Sequence, residues 1–119
     1  MSFPRRDEIY WLDLSPATGA ETREPHPALI IQNDVGNQVS ALTIVAAITS
    51  NLRVAELPVG VRIEPPESGL PRPSVVDLGH VYTVDKRRLQ RGVGRLPETL
   101  MQEIDEAIQV SLSLRPFTP

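Results

Sequence analysis

The sequence predicts a mainly β domain completed by one α-helix at its C-terminal end, folded as a compact barrel or a bent sheet. Three observations predict it. Short runs rich in β-branched residues recur up to about Leu96, prolines and glycines separate them, and a three- and four-residue apolar period appears only in the final segment.

Ile9 to Leu14 alternates apolar and polar side chains and stops at Ser15-Pro16, which marks a first strand. Ser15 to Pro25 has glycine and proline breaks and no helical period, so it is expected to be a long, mobile loop. Ala28 to Gln32 and Leu42 to Thr49 read as paired central strands, separated by Asn33-Asp34-Val35-Gly36-Asn37, whose side chains suit a turn. Pro58, Pro65, Pro66, Pro71 and Pro73 then exclude a helix interior and confine strands to pieces such as Val59 to Ile63. Ser74 to Asp77 and His80 to Val84 read as two further strands. Asp85 opens a single helical turn through Leu89, because an aspartate there can accept backbone N–H groups. Val93 to Leu96 is a last short strand. Leu100, Met101, Ile104, Ala107, Ile108 and Leu112 fall on one helical face from about Pro97, a residue suited to a first turn.

The 119 residues suffice for a single domain (1–119) with a modest core, which a second subunit would help to cover. No cysteine is present, which excludes a disulfide framework, a thiolate nucleophile and a cysteine zinc site. No segment has the apolar run of a signal peptide or a membrane span, so a cytoplasmic location and no membrane partner are expected. A formal charge of −3 argues against coating nucleic acid by bulk electrostatics, but Lys86, Arg87, Arg88, Arg91 and Arg95 cluster and leave room for a local basic groove. No His-x-x-x-His pattern or tight carboxylate group has metal-ligand spacing, so neither a metal nor another cofactor is expected.

Several separated blocks resemble the MazF/PemK toxins in order and spacing: Asp7 to Leu14, Gly19-Ala20-Glu21, Pro27 to Asn37, Ile44 to Thr49 and Thr83 to Leu89. Gly94-Arg95-Leu96 and Asp105 through Leu112 are similar to that family's last strand and helix. The resemblance runs nearly end to end and implies a small SH3-like barrel of the MazF/PemK/CcdB type. It further implies a homodimeric mRNA interferase that cleaves single-stranded RNA at short sequences without a metal and is held inactive by a MazE-like antitoxin.

Metal-free cleavage can use the RNA's own 2′-hydroxyl, which requires a proton acceptor, a stabiliser of the anionic phosphorus and a proton donor. The family usually carries an arginine before the proline that opens the second strand, and here that residue is His26. Imidazole exchanges protons near neutral pH but lacks the planar fork of arginine. The expected catalytic set is therefore His26 as acid or base, Arg23 as electrostatic stabiliser and Thr49 as the hydroxyl on the scissile phosphate. Glu21, Tyr82, Lys86 and Arg87 are the expected RNA-binding residues, Tyr82 by stacking on an unpaired base. Two other readings stand beside this one: a CcdB-like binding toxin acting on DNA gyrase, and an interferase homologue impaired by the change at His26.

Overall fold

The computed structural model describes residues 3–13 and 25–116. The expected mobile loop, with Glu21 and Arg23, lies almost wholly outside them. The chain forms β1 (Glu8–Leu12), β2 (His26–Ile30), α1 (Asp34–Val39), β3 (Leu42–Thr49), β4 (Gly60–Ile63), α2 (Pro65–Ser68), β5 (Ser74–Asp85), β6 (Leu89–Arg95) and α3 (Glu98–Ser111). All strands join one six-stranded sheet in the order β4-β5-β3-β2-β1-β6, every neighbouring pair antiparallel. Among the described residues, no helix is long and apolar enough to cross a membrane.

Strand periodicity assigns side chains to two faces. One face carries Ile9, Leu29, Ala46, Ile48, Val76 and Leu78, which form the main core with Met101, Ile104 and Ala107 of α3. Ile104 is fully buried, and its burial contributes about 1.5–3 kcal/mol relative to exposure. The opposite face carries a smaller cluster of Leu12, Ala28, Ile30, Val45 and Val84, flanked by Tyr10, Tyr82 and Leu89. Leu112, expected on the apolar face of α3, falls just beyond the helix and is exposed.

Four local expectations are refined. The polar turn after β2 is instead a short helix, because the Asn33 side chain accepts from Gly36 N at 2.8 Å and caps α1. Helix does occur in the proline-rich segment: α2 is one turn with Pro65 and Pro66 at its start, where a missing N–H costs nothing. A 3₁₀ turn at Leu52–Glu56, capped by Asn51, was not expected. The two predicted strands from Ser74 to Val84 are a single strand, β5, interrupted by a bulge. Ala47 pairs with Asp77 while Ala46 pairs with Val81, so Leu78, Gly79 and His80 are extra residues on β5. The turn predicted from Asp85 is present as the 3₁₀ turn Lys86–Arg88, with Arg87 N bound to Asp85 Oδ1 at 2.8 Å.

The sheet bends until its ends meet through α2, which follows β4 and packs on β6. This seam needs glycine on both sides. Gly69 ends α2 at φ 75°, and a Cβ at Gly94 would sit 1.9 Å from the Ser68 carbonyl oxygen.

The N-terminal segment is tied to α1 by Arg6 N, which donates to Asp34 Oδ1 at 2.7 Å. That bond, chiefly, holds the Asp34 carboxyl below its ordinary value of 3.8. A carboxyl with a depressed folded value contributes stability above its unfolded pKa and loses it as pH falls through the folded one. Asp34→Asn is therefore expected to flatten the fall of the urea midpoint as pH drops below 3.8. Equal acid-side slopes in the two proteins would refute this.

Candidate functional site

Pro27 has no N–H to give the β2–β3 ladder, and that ladder ends one residue inside it, at Ala28 opposite Ala47. Continued at the same register, the ladder would set His26 against Thr49. Instead the strand ends part, and a cavity of about 590 Å³ opens between them, with His26, Thr49, Arg72, His80 and Trp11 in its wall. A second cavity of about 520 Å³ shares His26, Ala47 and His80 and adds Tyr82. By strand parity His26, Thr49 and Tyr82 lie on the face of the smaller apolar cluster, at the end where that cluster runs out.

Each polar side chain is held by local structure. His26 is exposed at the first position of β2, where the following proline keeps its backbone extended. Thr49 closes β3, and its Oγ1 accepts from Asn51 N at 3.1 Å, which leaves its own O–H to donate into the cavity. Arg72 sits between Pro71 and Pro73, and Ser74 Oγ donates to its carbonyl at 3.1 Å. Arg72 lines the cavity wall, and among the described residues its guanidinium makes no ion pair. Burial pushes the Tyr82 phenol above its ordinary value of 10.0, so it stays neutral across the physiological range.

His80 reaches the cavity because of the bulge. In a regular strand residues three apart point to opposite faces, but the odd number of extra residues returns Asp77 and His80 to one side. Gly79 N donates to Asp77 Oδ1 at 2.9 Å, and Asp77 Oδ2 stands 3.9 Å from His80 Nδ1. The bulge is anchored from the core side, where Leu78 N donates to Val59 O at 2.8 Å and Ser111 Oγ of α3 donates to Leu78 O at 2.7 Å.

The predicted residues thus divide. His26 and Thr49 share one cavity, and Tyr82 lines its neighbour. Arg23 and Glu21 lie outside the described residues. Lys86 and Arg87 stand beyond Asp85, which pairs with Leu42 at the far end of β3 from Thr49, roughly 24 Å along the strand. Lys86 is occupied there. Its Nζ donates to Asn37 O and, at 2.7 Å, to Ser40 O, neutralising carbonyls at the C-terminal end of α1, while Arg87 forks onto Asp85. Arg72 escaped the sequence reading, and so did the pairing of the cavity residue His80 with Asp77. For Arg72 a signal existed, since Pro71-Arg72-Pro73 repeats the bracket around His26.

The arrangement offers proton exchange, a hydroxyl donor and a positive charge around one opening. That set suits an anionic phosphodiester. Among the described residues, no three His, Cys, Asp or Glu side chains gather as a metal site. A larger void of about 730 Å³ beside α3 lacks such a set, because its Arg6 and Arg95 are already paired with Asp105 and Asp7.

The family model described as the PemK-like, MazF-like toxin of type II toxin-antitoxin systems matches residues 5–112. The chain is 42% identical over 113 residues to endoribonuclease EndoA of Bacillus subtilis, covering 95% of this chain and 97% of that protein. It is also 42% identical to endoribonuclease MazF of Staphylococcus epidermidis, covering 95% of this chain and 94% of the relative. Among solved structures, an endoribonuclease in complex with its cognate antitoxin from a mycobacterial species is similar at a TM-score of 0.77 and 25% identity, over 97% of this chain and 99% of that one.

Lys86→Met removes the ammonium that caps α1 without touching the cavity. A loss of about 1–3 kcal/mol in urea denaturation is expected, since two part-buried carbonyls lose a charged donor. Wild-type stability in that variant would return Lys86 to the pool of available surface cations.

Proposed function

Because the chain belongs to the PemK-like, MazF-like toxin family, we propose that it is an mRNA interferase, a sequence-specific endoribonuclease that cuts single-stranded RNA without a metal. The observation that carries this reading is the convergence of His26, Thr49 and Arg72 on one cavity.

In the proposed reaction the 2′-oxygen of the nucleotide before the cut loses its proton and bonds to phosphorus. The bond from phosphorus to O5′ breaks, and O5′ gains a proton. The products are a 2′,3′-cyclic phosphate and a 5′-hydroxyl end. His26 supplies one proton transfer, acting as acid or base. The Thr49 hydroxyl donates to a non-bridging oxygen, and the Arg72 guanidinium stabilises the charge that accumulates there. An arginine is missing from position 26, but one enters the cavity from a different segment, which supports an active enzyme over an impaired homologue. Tyr82, half-buried and on the same face as His26, is the proposed stacking surface for an unpaired base.

As further parts of this reading, the active form is a homodimer and a MazE-like antitoxin restrains it. The antitoxin complex of the mycobacterial relative supports the second point. Exposed Val35, Val39 and Leu42 leave apolar surface on the subunit, in keeping with the first.

Incubating the protein with a long single-stranded RNA in chelator and sequencing the new ends tests the reading. Cuts at one short sequence, bearing cyclic phosphate, are expected. His26→Ala and Thr49→Ala should each lower the rate by about 10²–10³-fold. Cleavage only with added divalent metal, or none at all, would overturn it.

Arg72→Ala is expected to weaken RNA binding and to reduce the slope of log affinity against log salt by about one. Fluorescence anisotropy from low to moderate salt reads this directly. An unchanged slope would remove Arg72 from the phosphate contact.

A further inference from the structure

Strand scission by a 2′-hydroxyl moves two protons at once, and the two oxygens concerned lie on opposite sides of phosphorus when attack is in line. One imidazole cannot serve both positions. The chain contains two histidines, and both line the same pair of cavities.

Their placement is set by strand order. In the sheet β3 lies between β2 and β5, so His26 comes from one side of β3, at the end near Thr49, and His80 from the other, in the bulge between the partners of Ala47 and Ala46. His80 also has what an acid–base residue requires behind it. Its Nδ1 stands 3.9 Å from Asp77 Oδ2, within ion-pair range although longer than a hydrogen bond, and Asp77 is itself fixed by the Gly79 N–H at 2.9 Å. The imidazole is otherwise exposed, which argues against a packing role.

We propose that His80 is the second proton-transfer residue of this reaction, complementary to His26 across β3, with Asp77 as its positioning residue. This rests on the ribonuclease reading above. Each histidine handles one proton: one accepts it from the 2′-hydroxyl as the O2′–phosphorus bond forms, and the other delivers one to O5′ as the phosphorus–O5′ bond breaks. Solvent exchange afterwards restores both. Among the described residues, the charged or titratable groups around His80 are Asp77 and Tyr82 on its own strand, His26 from β2 and Arg72 from the segment before β5, while β3 contributes only the Thr49 hydroxyl.

The test uses the full chain and an oligoribonucleotide carrying the mapped cut site, followed through single-turnover pH–rate profiles. Wild type is expected to give a bell. His80→Asn should lose one limb of it and about 10²–10⁴-fold in kcat, with RNA affinity and Tm unchanged. Asp77→Asn should lower kcat less and displace the same limb, which a merely structural carboxylate would not do. A substrate with a bridging 5′-sulfur at the cut site needs no acid, because a thiolate leaves unprotonated. On it either His80→Asn or His26→Ala should regain rate, and the other should not. An equal response of both variants would overturn the division of labour. A His80→Asn protein with wild-type kcat and both limbs would overturn the proposal and leave the ribonuclease reading standing, whereas an inactive wild type would overturn both.

Discussion

A missing hydrogen-bond donor organises the functional end of this molecule. Every other residue of β2 can hand an N–H to a neighbouring strand, but Pro27 cannot, and the sheet opens where it stands. Had a residue with an N–H occupied that position, β2 and β3 could have stayed zipped to their ends, with His26 and Thr49 packed against each other. The opening instead sets an imidazole and a hydroxyl in the wall of one cavity. The same residue type then limits how far the walls can relax, since His26 and Arg72 each sit between two prolines. The backbone around the opening is thereby stiffened at little entropic cost.

The second wall is shaped by insertion. Three extra residues on β5 change the parity of the strand, and a carboxylate and an imidazole that would have faced apart become neighbours. A bulge is costly if unsupported, because its backbone groups lose their ladder partners. Here Val59 and the Ser111 hydroxyl take up the Leu78 amide and carbonyl, and the Leu78 side chain is fully buried in the main core. The helix that completes the hydrophobic core thus also steadies the polar wall, joining stability and function through one residue.

What could be read from the sequence follows the range of the forces involved. Helical period, β-branched runs and proline punctuation act over a few residues, so β3, the turn after Asp85 and α3 were legible nearly to their ends. The positions of His26 and Thr49 were legible because family resemblance carried Thr49 and the prolines marked His26. The contacts of Lys86 were not legible, because a run of positive charge looks the same whether its members face solvent or cap a helix encoded far earlier in the chain. The place of His80 was not legible for a related reason. It depends on a change of strand parity that only the pairing partner on β3 reveals. Arg72 carries a signal in its proline bracket, but only the fold, through α2 and the seam, brings that short segment to the cavity.

The closed seam has a bearing on how other chains can attach. β6 is met near its C-terminal end by α2, with Gly94 pressed against the Ser68 carbonyl, and the short β4 is flanked by the 3₁₀ turn and α3. One end of the sheet is thus closed at the seam and the other is only four residues long, which limits the row of amides an incoming strand could zip onto. Recognition by β-augmentation is disfavoured by this architecture, and a visiting polymer must engage side chains in a groove instead.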